Sequence, residues 1–144
     1  MSCGDPRRRH RQRVVLVSQR AVRPTRRAIL LVDHGSRSPA ANRVVATLAR
    51  KVRRRLPGCI VHFAHMELAP PTIAEAIDAC VADGAREIVV HPYFLAPGLH
   101  STRDVPALAR AAARKHRGVR VRISAPLGAH DLLVEIVLDR VGIG

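Results

Sequence analysis

Two histidines and a glutamate carry the chemistry that this sequence offers. His34 stands in Asp33-His34-Gly35-Ser36-Arg37, Glu67 in His65-Met66-Glu67-Leu68-Ala69 and His100 in Pro97-Gly98-Leu99-His100, each just after an apolar, β-branched run. In a parallel α/β sheet the carboxyl ends of the strands open onto one crevice, so groups on three such loops face the same cleft. Imidazole, carboxylate and imidazole together suit a divalent transition metal. Gly35 permits a sharp turn that leaves the His34 ring standing above its strand end. Taken singly, a histidine at a strand end or a glutamate in a loop is most simply structural or solvated. Convergence from three independent loops is what favours chemistry.

The remaining histidines rank below these. His62 alternates with Phe63 along a strand, and His65 lies two residues before Glu67. His91 precedes Pro92 at a strand end, near enough to the crevice to support a ligand without being one. His130 follows the Pro126-Leu127-Gly128 turn, where starting a helix is at least as good a reading, and His10 and His116 read as surface residues. Cys3, Cys59 and Cys80 show no paired spacing. Cys59 and Cys80 read as buried thiols of a reducing compartment, and the expected location is the cytoplasm.

The elements that position these groups follow from hydrophobic periodicity. Ala28–Val32 is a continuous apolar run, as expected of a strand buried on both faces. Ser38 and Pro39 open a helix as cap and first residue, Val44, Val45, Leu48, Val52 and Leu56 give it an apolar stripe, and Pro57-Gly58 stops it. Cys59–Ala64 is the second strand. Thr72-Ile73-Ala74-Glu75 is a capping box that launches a helix ending at Gly84. Glu87–Val90 is the third strand, followed by a loop of about ten residues and a third helix from near Asp104 to Gly118. Val119–Ile123 is the fourth strand, and residues 130–141 form a last helix. Four strand–helix units in series predict a single doubly wound α/β domain, with a four-stranded, mainly parallel sheet and helices on both faces.

Composition narrows the function classes. A chain of 144 residues that is 47% hydrophobic holds one domain with a real core, and no apolar run reaches the roughly 18–20 residues of a membrane span. The formal charge is +14, but residues 1–27 hold nine arginines and one acid, so much of the excess belongs to a basic N-terminal arm expected to be disordered. The arm is read first as a tail without a role or the product of an upstream start, then as a polyanion-binding tail, then as a transit peptide. With two Phe, one Tyr and no Trp there is little to stack bases on, so nucleic acid is a poor partner. The excess of six positive charges in the rest of the chain favours a small polycarboxylate as well as it would a phosphate.

At the motif level the sequence resembles a known family. Val32-Asp33-His34-Gly35-Ser36-Arg37, Ala64-His65-Met66-Glu67-Leu68-Ala69, Pro92-Tyr93-Phe94-Leu95-Ala96-Pro97-Gly98 followed by His100, and Ala125-Pro126-Leu127-Gly128 are similar to the small CbiX-type sirohydrochlorin chelatases, in order and at family-like spacing over residues 28–141. The resemblance extends to the short sirohydrochlorin ferrochelatases of siroheme synthesis. Plant forms of these carry a cysteine-rich iron–sulfur tail that is not present before Gly144.

The resemblance implies one lobe of a chelatase-like fold, acting as a homodimer. It implies insertion of Fe2+, Co2+ or Ni2+ into sirohydrochlorin, on the way to siroheme or cobalamin, with the metal as substrate and neither ATP nor an organic cofactor. His34, Glu67 and His100 become both the metal ligands and the catalytic groups. His34 and His100 bind metal or accept a macrocycle proton, and Glu67 completes the coordination or relays that proton. Ser36, Arg37, Ser101 and Arg103 become substrate-binding residues, the arginines as bidentate anchors for carboxylates. Leu99 departs from the arginine usual between glycine and histidine in the third motif, and Thr72 replaces a serine of equal capping ability.

Two other classes compete. Histidine phosphatases share a His-Gly pair, but place arginine before it to bind phosphate, where this sequence has the repelling Asp33. A metal- or tetrapyrrole-binding module would use the same ligands without accelerating insertion.

Overall fold

A computed structural model describes residues 26–143. Most of the expected arm over residues 1–27 lies outside them, with Cys3 and His10. Arg27 belongs to the first strand rather than to the arm.

The elements run β1 (Arg27–Asp33), α1 (Pro39–Arg55), β2 (Ile60–His65), α2 (Ile73–Ala82), β3 (Glu87–Pro92), a π-helical turn (His100–Asp104), α3 (Val105–Ala113), β4 (Arg120–Ile123) and α4 (Asp131–Val141). The sheet order is β2-β1-β3-β4 and every pairing is parallel. The apolar run of β1 therefore sits inside the sheet, flanked on both sides. Its residues alternate between two cores, as a strand with a period of two must. Leu30 and Val32 join Ile77, Ile88, Val90 and Val105 on the face covered by α2 and α3. Leu31 joins Val45, Ala49 and Val61 under α1.

Strand order explains where the cleft falls. From β1 the chain turns to β2 over one face, then returns past β1 to β3 over the other. Right-handed crossovers therefore send α1 to one face and α2 and α3 to the opposite one. The segments leaving β1 and β3, which are neighbours in the sheet, diverge to opposite faces. That is a topological switch point, where open α/β sheets hold their ligands. His34 leaves β1 at this point, and His100 lies on the segment that leaves β3.

Two local details differ from the sequence expectations. Ser38 occupies the N-cap position of α1, but its side chain makes no capping bond. Instead, Ser36 Oγ accepts from the Ser38 amide at 3.0 Å, and Asn42 bridges the Ser36 amide and carbonyl at 2.9 and 2.8 Å. The third helix begins at Val105, beside Asp104 as expected, but it ends at Ala113, short of Gly118, and a π turn precedes it that carries His100 itself into helical backbone. The capping box of α2 forms as expected, with Thr72 and Glu75 exchanging bonds. Finally, α4 buries none of its residues.

Candidate active site

The site is built on two interlocked loops and one separate turn. The amide of Met66 donates to the Asp33 carbonyl at 2.9 Å, and that of Glu67 to the His34 carbonyl at 3.1 Å, so the loops after β1 and β2 continue the sheet by two more bonds. Gly35, at a φ of 86°, makes this possible. A Cβ there would meet the Glu67 carbonyl oxygen at 1.9 Å and the His65 Cβ at 3.0 Å. Leu68, next along, also has a left-handed φ of 70°, a conformation that costs a leucine about 1 kcal/mol.

Beneath the loops lies a buried pair. His65 is 1% exposed and its Nδ1 stands 2.5 Å from Asp33 Oδ1, the two residues being register partners at the ends of β2 and β1. A buried imidazole needs such a partner, and the contact ties the two strand ends together side chain to side chain.

On this base the expected groups are brought together. His34 Nε2 lies 2.8 Å from Glu67 Oε1, and both side chains are about half exposed. The ring of His100 stands edge-on to that of His34, with centroids 5.1 Å apart. Each imidazole is held through Nδ1. His34 Nδ1 lies 3.2 Å from the Gly35 carbonyl, and His100 Nδ1 lies 3.0 Å from Asp104 Oδ2. Both rings thus keep Nε2 for another partner. Orientation of one ring nitrogen by a carbonyl or carboxylate is the usual support of a metal-binding histidine. Among the described residues no three His, Cys, Asp or Glu side chains already converge as a closed metal cluster. His34 and Glu67 face each other across a hydrogen bond, with His100 alongside.

Electrostatics at the third segment centre on Asp104. Its carboxyl is held below the ordinary carboxylate range by Arg103, with His100 contributing next. Arg103 Nε lies 3.1 Å from Asp104 Oδ1, so the expected substrate anchor is bonded to the residue that orients His100. Ser101 is turned inward at 5% exposure and exchanges bonds with both the amide and the carbonyl of Gly98. Its place is in locking the loop. Ser36 is engaged with the start of α1, while Arg37 is exposed and lines a cavity beside it.

The lesser histidines also have places. His62 Nε2 meets Asp83 at 2.7 Å and His116 Nε2 meets Asp78 at 2.7 Å. His130 caps α4, accepting from the Leu132 amide at 3.1 Å. His91 lies 2.7 Å from Ser124 Oγ, and burial pushes its imidazole below the ordinary value. The sequence reading missed Asp33, His65 and Asp104. The motif spacing already put Asp33 and His65 at the ends of neighbouring strands, and Asp104 four residues after His100 on a helical turn was also there to be seen.

The switch-point cleft is lined by two oriented imidazoles and a carboxylate, a donor set of the type that suits a divalent transition metal. Comparisons with known proteins identify the family. The model of the CbiX family matches residues 28–143. The chain is 42% identical over 113 residues to the chloroplastic sirohydrochlorin ferrochelatase of Arabidopsis thaliana, covering 78% of this chain and 50% of that one. It is 34% identical over 137 residues to the sirohydrochlorin cobaltochelatase of Methanocaldococcus jannaschii, covering 78% of this chain and 96% of that one. The crystal structure of the sirohydrochlorin chelatase SirB from Bacillus subtilis subspecies spizizenii, in complex with cobalt, superposes with a TM-score of 0.75 at 30% identity, over 81% of this chain and 50% of that one. The chain belongs to the CbiX family. It spans about half the length of the Arabidopsis and Bacillus proteins, and nearly the whole of the archaeal one.

Proposed function

We propose that this CbiX-family chain is a sirohydrochlorin chelatase, a lyase that inserts Fe2+ or Co2+ into sirohydrochlorin in siroheme or cobalamin synthesis. The metal is substrate, Ni2+ is a third candidate, and neither ATP nor an organic cofactor is required. The observation that carries this reading is the meeting of His34, Glu67 and His100 on one rim at the switch point.

The geometry supports a division of labour. Two donors on one ion at about 2.1 Å, at right angles, stand about 3 Å apart. The 2.8 Å between His34 Nε2 and Glu67 Oε1 is close to that span. An arriving ion is taken between His34 Nε2 and Glu67 Oε1, with His100 Nε2 as third ligand. Few ligands of intermediate softness leave coordination positions open, so the macrocycle can take the ion over. As metal enters, two ring N–H protons must leave, and the freed His34–Glu67 pair is the acceptor beside them. Arg37 and Arg103 serve substrate carboxylates.

Two finer points belong to the same proposal. The chain acts as a homodimer, since half a cleft covers too little of a large macrocycle. In support, α4 leaves Leu132, Val134, Ile136, Val137 and Val141 more than half exposed, a patch of the kind that marks an interface. Sedimentation should give a two-chain species that Val137→Glu converts to single chains; a single-chain wild type at micromolar concentration removes the dimer. The location is the cytoplasm, supported by two unpaired thiols, Cys59 and Cys80. No described helix is long and apolar enough to cross a membrane.

The test is spectroscopic. Anaerobic protein with sirohydrochlorin and Fe2+ or Co2+ should change the tetrapyrrole absorption faster than a protein-free control. His34→Ala and His100→Ala should each slow the change about 100-fold or more, as loss of a directly acting group does, with circular dichroism unchanged. Wild-type rates in both variants remove the assignment, and a rate no better than the control leaves a binding module.

A further inference from the structure

Beside the His34–Glu67 pair the structure opens a cavity of about 440 Å3 between the start of α1, the end of β2 and the loop after Glu67. Its cations are Arg37 and Arg43, and Phe63, Ala46 and Leu68 give it an apolar lining, with the buried His65 among its walls. Among the described residues no carboxylate lines it. Asn42, the other polar residue of α1 there, is fully committed to bracing Ser36. Neither Arg37 nor Arg43 has a carboxylate partner among the described residues.

A second cavity supplies the contrast. At the other end of the sheet, about 380 Å3 is lined by Arg26 and Arg53, again two guanidiniums. There Asp83 shares the lining, Arg26 donates to the Asp83 carbonyl at 3.0 Å and Arg53 to the Val61 carbonyl. Those cations serve the fold. The pair by the active site has no such task, and cations left unpaired over an apolar lining suit an anion with an apolar body.

We propose that this cavity takes a carboxylate-bearing edge of the tetrapyrrole and that Arg43, on the first turns of α1, is a specificity-determining residue for it. The proposal rests on the chelatase reading above and deepens it. Ser36 is two residues from His34, and Leu68 adjoins Glu67. A macrocycle centred on the metal ligands therefore reaches this cavity with a peripheral arm. The methylenes of the arm lie against Phe63 and Ala46, and its carboxylate meets the forks of Arg37 and Arg43. Arg43 touches no reacting atom, so it sets affinity for the tetrapyrrole and not the rate of metal transfer.

The experiment titrates metal-free sirohydrochlorin into the full chain by fluorescence, alongside steady-state chelation. Arg43→Gln should weaken binding and raise KM for the tetrapyrrole about tenfold, the loss expected of one charge-assisted pair, while kcat stays within about threefold. Arg43→Lys should fall between Gln and wild type, since it keeps the charge but not the fork. Arg50→Gln is the control. Arg50 lies farther along α1 and donates to Thr47 Oγ1, so its loss should leave binding unchanged. Unchanged binding by Arg43→Gln, or an equal loss in Arg50→Gln, overturns the proposal and leaves the chelatase reading standing. A wild type that neither binds nor metallates sirohydrochlorin overturns both.

Discussion

The two sides of the candidate site are held in different ways. His34 and Glu67 rest on an extension of the sheet: two backbone bonds between their loops, the buried Asp33–His65 pair beneath, and a glycine with no room for a side chain. His100 rests on a short turn whose bonds are local, Gly98 with Ser101 and Thr102, and His100 with Asp104. One side is welded to the core, and the other is folded onto itself. Long-range bonds between strand ends tie His34 and Glu67 to the sheet, whereas a local turn can shift as a unit. On the proposed function both properties are of use, a fixed seat for the ion and a ligand that can withdraw as the ion is handed on.

The comparison breaks first at Gly35. Gly35→Ala forces its Cβ into the Glu67 carbonyl and an unfavourable backbone besides, so the two loops must part. Chelation should fall at least about 100-fold and the melting temperature by several degrees. Wild-type melting and activity would mean that the loops are not interlocked. Asp33→Asn comes next. It keeps a hydrogen-bond partner for His65 but removes the charge, and should cost roughly tenfold in rate together with a measurable loss of stability. Asp104→Asn should be mildest, at about threefold to tenfold in rate, with no change in melting because Asp104 is at the surface. If Asp104→Asn instead lowers the melting temperature as much as Asp33→Asn, the two sides are not distinct.

Much of this was legible in the sequence, for reasons that can be stated. The β1 run is apolar without interruption, and only a strand flanked on both sides and covered on both faces buries such a run. The capping box at Thr72 is a local device that needs nothing from the rest of the chain. The three site residues were recognisable because strand ends gather at one edge whatever the strand order. The sidedness of the site was not legible. Asp33 and His65 look like ordinary polar residues until register makes them neighbours, and His100–Asp104 has no periodicity from which a π turn can be inferred. The exposed state of α4 was equally hidden, since apolar periodicity announces that a helix will be covered without saying by what.

The positions of the two described thiols bear on how an ion is released. Cys59 precedes β2, and Cys80 lies near the end of α2, both toward the edge where the strands begin. Cys80 is sealed in the core, and burial pushes its thiol up to about 12, so it stays protonated. Thiolate is the ligand that would hold iron or cobalt most stubbornly. If the ion is surrendered to four ring nitrogens as proposed, it is best kept from thiolate, and both described thiols stand at the far end of the building from His34, Glu67 and His100.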